Sequence, residues 1–136
     1  MPPASAAPLN MEERLPASVD SVAAARRAIR RFVLELEVDV DGIVLAVSEA
    51  VANAVLHAYV GQADGTIYLS AHVQPFELTV TIRDHGSGFA AARPSTGAGY
   101  GLKIIRRLAQ HVALKESGDG VELTMHFARG GDWSTG

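Results

Sequence analysis

The sequence predicts an α/β two-layer sandwich: a mixed, mostly antiparallel sheet with helices packed on one face. Three observations predict it. Helical periodicity fills the first part of the chain, two-residue alternation fills much of the rest, and one helical segment separates two pairs of strands. The 136 residues suit one domain with its own core, expected over 11–129, with flexible tails at 1–10 and 130–136.

Each element follows from its residues. "MEERLPAS" reads as a short edge strand ending at Pro16. Ser18 or Asp20 then caps a helix in which Val22, Ala25, Ile29, Phe32, Val33 and Leu36 form the apolar side. Arg26, Arg27, Arg30 and Arg31 fall largely on the other side, either as a solvated face or as a face for an acidic partner. Asp39 or Asp41 caps a second helix running to about Tyr59. "TIYLSAHV" and "FELTVTIRD" read as strands around a turn at Gln74-Pro75, with Phe76, Leu78, Val80 and Ile82 on one face. A glycine-rich loop spans 84–98. "YGLKIIRRLAQ" is a helix with Leu102, Ile105 and Leu108 inward, and Lys103, Arg106 and Arg107 read first as a solvated face. "VALKES" and "VELTMHF" form a closing hairpin over Asp119-Gly120.

Composition excludes several classes. A net charge of −3 gives no broad basic field for nucleic acid. The absence of cysteine removes disulfide and thiol chemistry and fits a reducing cytoplasm. No apolar run approaches the roughly 20 residues of a membrane span, and "MPPASAAPLN" lacks the features of a signal peptide.

The segment "LAVSEAVANAVLHAY", residues 45–59, is unusual. Val44, Val47, Val51 and Val55 make an apolar stripe, while Glu49, Asn53 and His57 lie roughly opposite, flanked by Ala46 and Ala50. A solvated stripe would carry lysine, arginine and more glutamate. One carboxylate, one amide and one imidazole among alanines suit contact with something small and polar, although a helix with a narrow exposed side reads the same way.

The glycines favour a ligand. "IRDHGSGF" puts Asp84 at a strand end, followed by Gly86 and Gly88, and "STGAGYGL" puts Gly97, Gly99 and Gly101 just before a helix. A carboxylate can accept a hydrogen bond from an adenine amino group. Backbone N–H groups at a helix start attract phosphate. Asn53 offers an amide oxygen to a hard cation bridging phosphates. No phosphate-binding G-x-x-x-x-G-K-[ST] loop is present. "GSGFAA" matches a dinucleotide-binding pattern only weakly, because Arg93-Pro94 interrupts the helix that should follow.

Taken in order, E-A-x-x-N-A-x-x-H-A-Y, D-x-G-x-G and G-x-G-L resemble the GHKL superfamily of Bergerat-fold ATP-binding domains. The resemblance is greatest to bacterial anti-sigma factor serine kinases and runs from about "RLPAS" to "MHF". It implies Glu49 as general base, Asn53 as the magnesium-holding residue, and Asp84 as reader of the adenine amino group, with Gly86 and Gly88 beside the base. Gly99 and Gly101 line the phosphates, with Gly97, Tyr100 and Leu102 in the same nucleotide-binding segment, and Phe89 to Ala98 forms an ATP lid whose only basic residue is Arg93. His57 is expected at the edge of the site or in a structural role. The implied activity is ATP- and magnesium-dependent phosphorylation of a serine on an anti-anti-sigma-type protein, with sequestration of a sigma factor. The implied setting is a cytoplasmic homodimer formed by the first helix and edge strand, with no direct nucleic-acid or membrane contact. An ATP-binding partner-switching module with little kinase activity is the alternative, and the catalytic domain of a two-component histidine kinase is a third reading.

Overall fold

Period-two alternation builds a five-stranded sheet in the computed structural model, which describes residues 9–58, 65–85, 98–117 and 120–130. In chain order the elements are β1 (Asn10–Pro16), α1 (Asp20–Val33), α2 (Val40–Asn53), a π-helical turn (Ala54–Ala58), β2 (Thr66–Val73), β3 (Glu77–Asp84), α3 (Ala98–Leu108), β4 (His111–Ser117) and β5 (Gly120–Ala128). The strand order is β1-β2-β3-β5-β4.

Every described pair is antiparallel, so the mixed sheet expected from sequence is corrected. β3 and β4 do run in the same direction. However, β5 folds back from β4 and occupies the slot between them, which replaces one parallel pair with two antiparallel ladders. The two-layer arrangement holds. Ile67, Leu69, Ala71 and Val73 of β2, Leu78, Val80 and Ile82 of β3, and Leu123, Met125 and Phe127 of β5 are buried in a common core with the helices, and Val121 of β5 is buried as well.

The helix ends differ from expectation in instructive ways. Neither Ser18 nor Asp20 caps α1: Val19 holds the cap position, without a side-chain bond. Main-chain bonds from Ser21 to Ser18 (3.0 Å) and from Val22 to Val19 (3.1 Å) close the first turn, and the Ser21 hydroxyl donates to the Pro16 carbonyl. α1 ends at Val33, three residues before Leu36, where the Leu36 N–H turns back to the Val33 carbonyl. Asp39 caps α2 as one of the two candidates, accepting from the Gly42 N–H at 3.1 Å. Phe76 is not a strand residue. The Gln74 N–H to Glu77 carbonyl bond (2.8 Å) closes a turn that leaves Phe76 82% exposed.

α2 packs against both α1 and α3. Ala46 and Ala50 are therefore fully buried rather than flanking an open stripe. Their small side chains let neighbouring helices approach closely. Helical structure runs to Ala58, in line with an end near Tyr59, but its α-helical part stops at Asn53. Ala54 donates to both the Ala50 and Val51 carbonyls, and the chain widens into the π turn. Such turns recur at functional positions. Tyr59 lies outside the described residues. α3 and the hairpin follow expectation: Ile105 is buried, Leu102 and Leu108 are half-buried, and Ser117 pairs with Gly120.

Candidate nucleotide-binding site

Three buried polar or charged side chains occur among the described residues: Ser21, Asn53 and Asp84. Burying a polar group is costly unless it is partnered. The Ser21 hydroxyl is answered by Pro16 within the fold. The other two are both residues singled out from the sequence.

Asp84 closes β3 and is 2% exposed. Its cross-strand neighbours are Ile67 on β2 and Val121 on β5, both buried and apolar. Strand alternation puts it on the helix side with Ile82, whereas Arg83 faces the open side of the sheet. Asn53 closes α2 at 7% exposure, and its side-chain Nδ2 is buried with no hydrogen-bond partner among the described residues. An unpartnered buried polar atom costs about 1–3 kcal/mol, so a bound group that answers it would offset that cost. Rotation of the amide exchanges its oxygen and nitrogen, so Asn53 can present either one. Glu49 lies one turn earlier on α2 and is half-buried.

Topology brings these residues to one end of the domain. β2 starts at Thr66, soon after the π turn, and Ile67 pairs with Asp84. The end of α2 and the end of β3 therefore share one end of the sheet. α3 finishes at the other end, where the Gln110 N–H donates to the His126 carbonyl at 2.8 Å. Its 11 residues span about 16 Å at 1.5 Å per residue. That length returns its N-terminus to the level of Val121 and Asp84. The N-terminus of α3, with the positive end of the helix dipole, thus lies at the same end of the domain as Asp84 and Asn53.

Gly99, Tyr100, Gly101 and Leu102 lie within this first stretch of α3, which begins at Ala98. The second glycine group is therefore the opening turn of a helix rather than a loop before it. Leu102 is half-buried. Gly86, Gly88, Gly97 and the lid segment up to Gly97, including Arg93, lie outside the described residues, as does the His57 side chain.

The donor set suits a magnesium ion. The described residues contain no group of three His, Cys, Asp or Glu side chains that would cage a cation. Magnesium is commonly held by one or two protein oxygens together with water and substrate phosphates. Asn53 offers one such oxygen through its amide Oδ1, whereas the atom without a partner among the described residues is the Nδ2 donor.

A broad concavity of about 760 Å³ lies elsewhere, on the open sheet face, lined in part by Glu12, Arg14, Tyr68, Thr81 and Arg83. Arg14 and Arg83 hold the Tyr68 ring between them, at 5.7 and 5.1 Å from its centroid. Asp84 points to the other face of the sheet, so volume alone does not locate the site. Gly120 is a site neighbour whose place in the sequence suggests only a turn. With Asp84 and His85 it lines a recess of about 270 Å³.

A buried carboxylate at a strand end, a buried amide at a helix end and a helix N-terminus at the same end of an α/β domain suit a ligand with polar and anionic groups. The chain matches the histidine kinase-like ATPase domain family over residues 15–127 and belongs to that family, a class of ATP-binding domain. Its relatives include the anti-sigma F factor of Heyndrickxia coagulans, 34% identical over 122 residues, covering 76% of this chain and 83% of the relative. The anti-sigma F factor of Bacillus subtilis (strain 168) is 27% identical over 122 residues, covering 77% and 84%. Among solved structures, the RsbU and RsbW domains of Rv1364c from Mycobacterium tuberculosis superpose with a TM-score of 0.68 at 21% identity, over 89% of this chain and 33% of that one. The Erythrobacter litoralis EL346 blue-light activated histidine kinase superposes with a TM-score of 0.56 at 24% identity, over 83% and 42%. These two longer chains share the fold. No described helix is long and apolar enough to cross a membrane.

Proposed function

We propose that this chain is an ATP-dependent protein-serine kinase and anti-sigma factor, which phosphorylates an anti-anti-sigma-type protein and sequesters a sigma factor. The observation that carries the reading is the pair Asn53 and Asp84, two buried polar side chains at the end of the domain where the α3 N-terminus arrives. Similarity to anti-sigma F factors over most of both chains supports the choice of activity.

In this reading the Asp84 carboxylate accepts from the adenine amino group between the apolar walls of Ile67 and Val121. The α3 N-terminus, with Gly99 and Gly101, holds phosphate oxygens through backbone N–H groups. Gly86, Gly88 and Gly97, outside the described residues, and Tyr100 and Leu102 complete the nucleotide-binding set. Asn53 is the residue that would hold a magnesium ion, which when bound neutralises phosphate charge. Glu49, half-buried one turn away, takes the proton from the partner's serine hydroxyl as its oxygen bonds to the γ-phosphorus and ADP leaves.

The helix layer supplies a face for protein partners. α1, α2 and α3 carry seven basic and three acidic residues, in a chain whose net charge is −3. A groove of about 310 Å³ between α1 and α2 is lined by Ala23, Arg26, Arg27, Arg30 and Val44. Acidic segments of a partner suit this surface through charge complementarity. β1 lies at the sheet edge and α1 beside it, which supports a homodimer through these two elements. Light scattering tests the dimer: a monomeric mass across micromolar concentrations removes it.

The deciding experiment is Glu49→Gln, with labelled ATP and the partner captured from the native cell extract. ATP binding and partner capture are expected to persist. Label on serine should fall by about 10²–10⁴-fold, the usual contribution of a general base. A wild-type chain that binds ATP and partner but never labels it would be a switching module rather than a kinase.

A further inference from the structure

Gly120 opens β5, pairs with Ser117 across the hairpin and immediately precedes Val121, the register partner of Asp84. Its φ of +138° lies where L side chains are rarely accommodated. Its surroundings matter more than its torsion. A β-carbon at this position would overlap the Asp84 carbonyl oxygen and lie 2.8 Å from both the Asp84 carbonyl carbon and the His85 Cα. The Asp84 atoms belong to a strand paired on both sides, so they yield only if the end of β3 moves.

Moving the end of β3 means moving Asp84. Its carboxylate stands between Ile67 and Val121, whose apolar side chains wall it on both sides. Where the carboxylate reaches is thus set chiefly by the backbone at residue 84. A hydrogen bond has a narrow distance range, and a misplacement of about 1 Å at a binding group can cost on the order of 10²-fold. The other described glycine with positive φ, Gly130 at +102°, has nothing within 4 Å of a built β-carbon. The chain therefore contains its own control: the same kind of torsional strain without a collision.

We propose that Gly120 is a positioning residue for base selection: its missing side chain lets β5 lie against the Asp84 backbone and sets how far the carboxylate reaches toward the base. This rests on the reading of Asp84 as the adenine-binding group.

Calorimetry with ATP and with GTP, alongside thermal melts, tests the proposal on the full chain. Gly120→Ala is expected to lose about tenfold or more of the preference for ATP over GTP. Gly130→Ala should keep that preference even if it melts earlier. In an Asp84→Asn background, Gly120→Ala should change ATP affinity less than about twofold, because the group it positions is gone. Asp84→Glu advances the carboxylate by one methylene without touching the hairpin, and it should also lose the preference. Full selectivity in folded Gly120→Ala, effects that simply add to those of Asp84→Asn, or full selectivity in Asp84→Glu would each overturn the proposal. A Gly120→Ala chain that does not fold would reduce Gly120 to a structural role. If Asp84→Asn itself leaves the preference unchanged, the underlying assignment of Asp84 fails, and that result is distinct from the others.

Discussion

The two ends of β3 handle polar groups in opposite ways. At the Glu77 end, half-exposed side chains satisfy one another: Glu77 Oε2 meets His126 Nδ1 at 2.6 Å, Thr79 Oγ1 lies 3.2 Å from the same nitrogen, and the Thr79 hydroxyl donates to Gln74 at 3.0 Å. Arg129 leaves its Nε without a partner there, yet its Nη1 donates to the Gln74 carbonyl at 2.7 Å. At the Asp84 end, a carboxylate is buried between apolar neighbours and the nearby helix ends in a buried amide with an open valence for hydrogen bonding. The first end, Arg129 Nε apart, answers its polar groups from within the fold. The second leaves the Asn53 Nδ2 donor unanswered among the described residues, and in the proposed function a nucleotide docks beside it. In the proposed function the visible cluster of histidine and acid is structural, and the two buried polar groups serve the nucleotide.

Substitutions at the two ends should separate accordingly. The largest effect is expected at Asp84. Asp84→Asn can reorient its amide to donate to the guanine oxygen, so ATP preference over GTP should collapse, by about 10-fold or more in calorimetric titrations. An unchanged preference would make the two ends of β3 equivalent.

Asn53→Ala comes next. It should abolish most of the magnesium-dependent part of nucleotide affinity and matter little when magnesium is chelated. Because the lost amide carries an unsatisfied atom, the free protein should change in stability by less than about 1 kcal/mol in urea denaturation. Equal losses with and without the ion, together with a large drop in stability, would show that Asn53 belongs to the fold.

The helix face should act independently of both ends. Reversing Arg26 and Arg27 to glutamate should weaken partner capture, and the wild-type capture should weaken with added salt. ATP affinity should stay within about twofold, since an exposed pair on α1 is screened from the site. A parallel loss of ATP binding would mean that partner face and nucleotide site are one surface.

The smallest effect is expected at Glu77. Its contact with His126 is partly exposed on both sides, at 39% and 30% of the side chain. Glu77→Gln should cost about 0–1 kcal/mol of stability and leave nucleotide affinity alone. A change in ATP affinity measured by calorimetry would contradict a purely structural Glu77 end.

Much of the fold and part of the site are legible in the sequence by itself. The alternation of Leu78, Val80 and Ile82 identifies the buried face of β3, and the same period places Asp84 on that face. The helical period of α1 marks Ala25, Ile29 and Val33 as core. The order of Glu49, Asn53, Asp84 and the glycines points to a nucleotide site, because chemistry at strand ends and helix starts is written locally.

Other features are set by packing between distant segments. Periodicity reports which side of an element is apolar, and not what lies against it. The stripe at Ala46 and Ala50 therefore reads as open in sequence, although both residues are fully buried in the fold. The insertion of β5 between β3 and β4 depends on β5 pairing with β3, a strand distant in the chain, which no window of sequence contains. Asp119-Gly120 suggests only a turn. Tertiary structure alone decides that Gly120 meets the Asp84 backbone 36 residues earlier in the chain, because steric exclusion between two strands exists only once they are paired.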